Sequence, residues 1–109
     1  MTYSEYFESV KAKFNGADVS DIQEHLAFQF NVQGECAGAF YVEIKDGQLF
    51  IEPYEYHDRD AMFTATADVF NKIMDGKMDP VFAFTMKKLQ VDGDLGKALK
   101  ISELIKRRK

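Results

Sequence analysis

The sequence predicts an α+β fold: a five-stranded sheet with helices covering one face. Three observations carry this expectation. Several stretches alternate apolar and polar side chains with a period of two, the mark of a half-buried strand with one wet face. Other stretches repeat their apolar residues at helical spacing, before, between and after the alternating ones. Asp46-Gly47 sits between two alternating stretches and is the strongest short hairpin signal, because both turn residues need positive φ. The predicted element order is α-β-β-β-β-α-α-β-α. An open sheet with one wet face needs its other face covered, and the helices are the available cover.

The first helix begins at Thr2-Tyr3-Ser4-Glu5, a capping box with Thr2 as N-cap and Glu5 three residues into the helix. Tyr3, Phe7, Val10 and Phe14 follow at helical spacing, and Asn15-Gly16 ends the run. Asp18 to Gln23 reads as one short turn. Leu26, Phe28, Phe30 and Val32 then alternate with Ala27, Gln29 and Asn31, and Phe40, Val42 and Ile44 with Tyr41, Glu43 and Lys45. Phe28, Phe30, Phe40 and Val42 are expected to share one face only if a bulge intervenes between the strands. Gln48 to Glu52 is the returning strand of the Asp46-Gly47 hairpin, and Tyr54 to Asp60 is a polar, aromatic loop. Ala61 to Ala67 is the fourth strand, and the first three should form a meander.

Helical spacing returns from Asp68, the expected N-cap, to Met74, with Gly76 at the C-terminal stop. Asp79 and Pro80 open a short helix as N-cap and first residue. That helix is unusual. Val81, Phe82, Ala83, Phe84 and Met86 would point in nearly every direction around it, whereas a surface helix needs one apolar stripe. Phe84 and Leu89 are assigned to the core. Leu89 and Val91 belong to the fifth strand. One last helix carries Leu95, Ala98, Leu99, Ile101, Leu104 and Ile105.

Composition sets the class. The chain of 109 residues suits one domain, 1–109, and 46% hydrophobic with 29% charged residues is ordinary for a globular core. Ten Phe and five Met with no Trp fit a core of large and pliable fillers, and equally a core with room for a guest. A single cysteine, Cys36, excludes an intramolecular disulfide. With no charged-then-apolar leader and no apolar run near ~18 residues, the expected compartment is reduced and cytoplasmic. Residues 1–60 hold 4 basic and 12 acidic residues, whereas residues 61–109 hold 10 and 6. An acidic domain without basic residues interleaved among exposed aromatics argues against nucleic acid. The basic second half and the Lys106-Arg107-Arg108-Lys109 tail instead suggest a weak, salt-sensitive contact with anionic membranes.

No catalytic constellation emerges, so an enzyme is not expected. His25 and His57 stand at no metal-ligand spacing, and His57 falls in a charged loop that meets water. Cys36 has no nearby base and sits passively in a hairpin. Gly34-Glu35-Cys36-Ala37-Gly38 lacks the Lys-Ser/Thr of a phosphate loop. Neither metal nor cofactor is expected.

The second half carries a resemblance. Phe63-Thr64-Ala65-Thr66, Phe70, Gly76-Lys77-Met78-Asp79-Pro80, Ala83-Phe84, Lys88-Leu89-Gln90-Val91, Gly93-Asp94 and Gly96-Lys97-Ala98-Leu99-Lys100-Ile101 resemble the sterol carrier protein 2 (SCP-2) domain family. The match covers about residues 60–104. It implies an apolar tunnel between sheet and helices, and non-covalent binding of sterol, fatty acid, acyl-CoA or phospholipid without catalysis. The all-round apolar helix would then line a cavity. The ligand-binding residues expected on this basis are Phe70, Met74, Met78, Phe82, Met86 and Leu99, with a basic rim of Lys72, Lys77, Lys87, Lys88 and Lys97 for an anionic head. Val81 and Phe82 stand where the family often has a polar and then a small residue, so Phe82 is expected to plug part of the cavity. Lys87 stands where a glycine usually ends the helix. The alternative is a scaffold or interaction module of the same fold with a closed cavity. Neither the identity of the lipid nor the oligomeric state is written in these residues.

Overall fold

The computed structural model describes residues 1–107. The last two residues of the basic tail, Arg108 and Lys109, lie outside the described residues. Helix α1 (Tyr3–Lys13) starts as its capping box requires: Thr2 Oγ1 accepts from the Glu5 N–H at 3.2 Å, and Glu5 Oε1 accepts from the Thr2 N–H at 2.9 Å. Strands β1 (Leu26–Gln33), β2 (Gly38–Lys45) and β3 (Gln48–Glu52) form an antiparallel meander. The β2–β3 turn has φ of 53° at Asp46 and 72° at Gly47, as a two-residue hairpin of this kind demands. Strand β4 (Ala61–Thr66) crosses to the other side of β1 and pairs with it in parallel, and β5 (Gln90–Gly93) closes the sheet edge antiparallel to β4. The sheet order is β3-β2-β1-β4-β5. Helices α2 (Ala67–Met74), α3 (Pro80–Thr85), α4 (Leu95–Ala98) and α5 (Ile101–Lys106) complete the chain.

No bulge separates β1 from β2. Phe28 pairs with Val42 and Phe30 with Phe40 in unbroken register. Residues directly opposite each other in an antiparallel ladder point to the same face, so all four share the inner face without one. In the parallel pair Phe30 meets Phe63, and Val32 meets Ala65, which extends that face across β4. The core fills the space between it and the helices. Tyr6, Phe7 and Val10 of α1 are buried there, as are Phe70, Ile73 and Met74 of α2 and Ile101 and Leu104 of α5.

Two helix boundaries differ from expectation. The N-cap of α2 is Thr66, not Asp68. Strand β4 runs straight into the helix, and Thr66 keeps extended backbone while its Oγ1 accepts from the Val69 N–H at 3.3 Å. Asp68 falls in the first turn, where its charge suits the helix dipole and pairs with Lys72 at 3.2 Å. The single last helix is two. Between α4 and α5 the bonds shorten to three-residue steps, Lys100 N–H to Lys97 C=O at 3.0 Å and Glu103 N–H to Lys100 C=O at 3.0 Å, which tightens the chain out of α geometry.

Helix α3 ends in a Schellman arrangement: Lys88 N–H bonds the Ala83 carbonyl at 2.9 Å and Lys87 N–H bonds that of Phe84 at 3.1 Å. This requires a left-handed residue, and Lys87 takes it with φ 62°. The matching end of α2 uses Gly76 at φ 75°. Gly93 has a stricter reason to be glycine: at φ 103°, a Cβ would lie 2.6 Å from the Asp60 carbonyl oxygen.

Two substitutions test this local physics. Lys87→Gly removes the left-handed strain at an exposed position and should raise stability by ~0.5–1 kcal/mol after the extra freedom of glycine in the unfolded chain is counted. Tyr6 is 1% exposed, and its hydroxyl has no hydrogen-bond partner among the described residues. Tyr6→Phe should therefore stabilise by about 1 kcal/mol, the relief of an unsatisfied buried polar group. Both are read as midpoint shifts in denaturant unfolding.

Candidate functional site

Between the inner face and the helices lies a void of ≈ 30 Å³. The sheet supplies its floor. Phe30 lies stacked between Phe40 and Phe63, with ring centroids 5.0 Å and 5.2 Å away, and Phe70 of α2 meets Phe30 edge-on at 5.5 Å. Val10 and Phe14 close one side, and Ile101, Leu104 and Ile105 another. Every lining side chain is apolar. The void is far below the ~150 Å³ that admits benzene in a protein core.

A second feature adjoins it. A surface groove of ≈ 250 Å³ runs between α3 and α4 over the β4–β5 edge. Its lining includes Val81, Phe84, Leu95 and Leu99, all exposed. Groove and void share four residues: Phe63, Pro80, Leu89 and Ile101. These side chains form the wall between inside and outside.

The six expected ligand-binding residues separate into three groups. Phe70 and Met74 are buried and line the void. Leu99, 60% exposed, lines the groove. Met78 packs half-buried against the core, and Phe82 and Met86, 52% and 54% exposed, face outward and line neither space. Phe82 is thus no plug. Its ring turns to solvent because only Ala83 of α3 is buried, so the helix touches the body of the protein with its smallest side chain. For the same reason Phe84, assigned to the core from sequence, is 47% exposed on the groove. Leu89 is buried as assigned. The contributions of α1 and α5 to the void are not singled out by sequence reasoning, although Val10, Phe14, Ile101 and Leu104 all lie at core-facing helical spacing. Of the basic rim, Lys72 and Lys97 are committed to Asp68 and Asp60 at 3.2 Å and 3.1 Å, while Lys77, Lys87 and Lys88 have no acidic partner among the described residues.

Known proteins share this fold. The sequence matches the SCP-2 sterol transfer family over residues 7–106. The chain belongs to that family. The hydroxysteroid dehydrogenase-like protein 2 of Xenopus tropicalis is 29% identical over 102 residues, covering 93% of this chain and 24% of that protein. The chain thus spans about a quarter of the length of the curated relatives it matches. Among solved structures, palmitated SCP2L2 from Aedes aegypti superposes with a TM-score of 0.68 at 20% identity, covering 96% of this chain and 95% of that one. The apo sterol carrier protein 2 of Yarrowia lipolytica superposes with a TM-score of 0.62 at 19% identity, over 97% of this chain and 75% of the other. The five-stranded open sheet with its helices is the SCP-2 fold.

The polar residues of this SCP-2 domain gather elsewhere. On the sheet's outer face, Glu43 Oε2 accepts from the Tyr56 hydroxyl at 2.8 Å and lies 2.6 Å from His25 Nε2. Gln29, buried, accepts from the Tyr56 N–H at 3.1 Å, and the Tyr56 ring packs on Tyr41 with centroids 4.9 Å apart. The cluster fastens the loop of residues 53–60 across the sheet. His57 in that loop is exposed, and Cys36 is buried with its Sγ facing the Met1 carbonyl. Among the described residues, no group of three His, Cys, Asp or Glu could hold a metal ion, and no helix is long and apolar enough to cross a membrane.

The fastening should show in pH dependence. The Glu43 hydrogen bond, then burial, pushes Tyr56 up to about 12. Burial would raise the Glu43 carboxyl, but the hydrogen bonds from His25 and Tyr56 outweigh it and hold the group below its usual range. A raised tyrosine stabilises fully below the unfolded value of ~10 and loses that contribution as pH rises through the folded value. A depressed carboxylate stabilises above ~4.3 and loses its contribution as pH falls through the folded value. Tyr56→Phe should cost about 1 kcal/mol near neutral pH. Its gap from wild type should shrink above pH ~10 and again in acid. Urea unfolding across that range would show it, and a constant gap would refute the assignment.

Proposed function

We propose that this SCP-2 chain is a non-catalytic binder of a hydrophobic lipid, whose apolar chain enters by the groove between α3 and α4 and occupies the enlarged space between sheet and helices. The observation that carries this reading is the shared wall. Four side chains, Phe63, Pro80, Leu89 and Ile101, separate a wholly apolar void from a groove that opens to the surface. In this reading the part of that wall that moves is α3. Its six residues are few for an independent helix, and its one buried residue is Ala83. Outward movement of α3 would join the two spaces at little packing cost. Each methylene then buried is worth ~0.8 kcal/mol, enough for a fatty chain to offset the ordering it imposes.

In this reading Phe70, Met74 and Leu99 contact the chain, and Met78, Phe82 and Met86 join as α3 moves. Lys77, Lys87 and Lys88 favour an anionic head. The palmitated state of the Aedes aegypti relative supports an acyl ligand. The chain matches only about a quarter of the longer relatives' length, so the dehydrogenase in their name is not carried over to it in this reading. Cys36, buried and alone, suits a reduced cytoplasmic compartment. A second reading rests on the void's ≈ 30 Å³: a protein-interaction module that keeps the fold with its cavity closed.

Native mass spectrometry of the protein from its expression host, followed by titration with a fluorescent fatty acid, separates the two. A co-purified fatty acid or phospholipid and saturable binding are expected. Leu99→Glu places a charge at an exposed point of the groove and should weaken binding by roughly tenfold while stability changes by less than ~0.5 kcal/mol. Phe82→Ala, at a half-exposed position, should likewise leave stability within ~0.5 kcal/mol. A clean apo dimer with no saturable signal would favour the interaction module instead.

A further inference from the structure

We propose that the outward face of α3, together with the exposed leucines of α4, docks onto an anionic lipid bilayer. Val81, Phe82, Phe84 and Met86 on α3 and Leu95 and Leu99 on α4 are all large, apolar and about half exposed. They are not scattered. Val81, Phe84, Leu95 and Leu99 line one groove, and Phe82 and Met86 are helical neighbours four positions apart on α3. A contiguous apolar patch of this kind marks a contact surface, whereas single exposed apolar residues need no explanation.

Charge identifies the occupant. Lys77 precedes α3, and Lys87 and Lys88 follow it directly. All three are exposed and without an acidic partner among the described residues. Lys13 is held by Asp75, Lys72 by Asp68, Lys97 by Asp60 and Lys100 by Glu24, while Lys11, Lys45 and Lys106, also without an acidic partner among the described residues, stand outside this segment. The acid within this segment, Asp79, turns its carboxylate to the Val81 N–H as the cap of α3. The result is a short apolar helix with free ammonium groups at both ends. Apolar side chains sink into the acyl boundary, and long lysine stems reach back to the phosphates. A second copy of this chain fits worse. A two-fold contact would lay the patch on itself and bring Lys87 and Lys88 toward their own symmetry mates.

The surface differs from the C-terminal tail, where Arg107 is engaged with Asp21. It does not depend on a lipid entering the protein. Docking would set the mouth of the groove at the membrane.

The chain contains no tryptophan, so Phe82→Trp gives a sole reporter on the patch, and Tyr54→Trp gives one in the loop on the other side of the sheet. Each full-length variant is titrated with vesicles of phosphatidylcholine alone and with vesicles containing phosphatidylglycerol. The expected result is a blue shift for Phe82→Trp with the anionic vesicles only, fading between about 0.1 M and 1 M salt. Co-sedimentation of the wild type with those vesicles should fall roughly tenfold in Met86→Glu. It should fall about fivefold for each of Lys77→Ser, Lys87→Ser and Lys88→Ser. No shift, or the same shift from Tyr54→Trp, would overturn the proposal. So would a shift that grows with protein concentration without vesicles beside a dimer mass, since a second copy would then cover the face. Binding lost on removal of residues 106–109 but kept in the three lysine variants would also overturn it, by assigning the contact to the tail.

Discussion

The core of this protein depends on the stacking of Phe30 between Phe40 and Phe63. The stack exists because β1 is the central strand, antiparallel to β2 and parallel to β4, in a register that opposes Phe30 to both rings. Once these rings share a face, every alternate residue of β1, β2 and β4 is committed to it, since a slip of one position would turn the whole set outward. The face can then be hidden only by helices. α1 brings Phe7 edge-on to Phe40, and α2 brings Phe70 edge-on to Phe30. Rings held at these offsets pack well but do not tile a flat floor perfectly, and the void remains where floor and helices part.

The walls around that void differ in strength. α1 and α2 each bury three residues, and α1 is further held by the Tyr3 hydroxyl donating to the Ala39 carbonyl, with Gly38 letting the ring lie close. α3 buries one small residue and ends on a lysine in left-handed conformation. Local opening free energy rises with the apolar contact an element must give up, so α3, with only Ala83 buried, lies at the low end of the range in this fold. A soft wall beside an apolar space is what a binder of chain-like ligands needs, because a rigid wall would have to leave the space permanently empty.

Much of the fold is legible in the sequence. The period-two strands, the Asp46-Gly47 turn, the Thr2–Glu5 box and the Asp79-Pro80 start each obey local rules that tertiary structure has no reason to override. The expected bulge is the exception on the sheet. Nothing in the strands requires one once the loop between them sets Phe30 opposite Phe40. Thr66 is hidden as a cap because strand and helix share that residue, and threonine suits both. The candidate site is legible only in part, and α3 shows why. Periodicity assigns a side chain to the core by contrast with polar neighbours, and a helix apolar all round offers no contrast. Phe82, Phe84 and Met86 look like lining or core, and their outward direction depends on Ala83 being the point of contact, which no local pattern announces. Phe70 and Met74 lie on a helix with an evident polar side, and there the pattern does point to the interior.

The charge asymmetry has a mostly internal cause. The acid-rich first half and the basic second half meet along the seam where α4 and α5 close over the start of β1. Asp60 accepts from the Ala27 N–H at 2.8 Å and from Lys97 at 3.1 Å, Glu24 pairs with Lys100, and Asp21 takes Arg107 in a two-point contact. On the other side Lys13 reaches Asp75 at 3.2 Å. Exposed pairs of this kind contribute little each, ~0–1 kcal/mol, and those of Lys97, Lys100 and Arg107 tie the C-terminal helices to the first half of the chain. Much of the basic excess after residue 60 is thereby neutralised within the chain, Arg107 of the tail included. Among the described residues after residue 60, the cations without an acidic partner are Lys106 on α5 and the three around α3, Lys77, Lys87 and Lys88, beside the apolar side chains and the groove. The same segment therefore combines weak anchoring, exposed apolar surface and free positive charge. Each property costs a folded protein something, in stability or in solubility, and all three suit a helix that meets lipid.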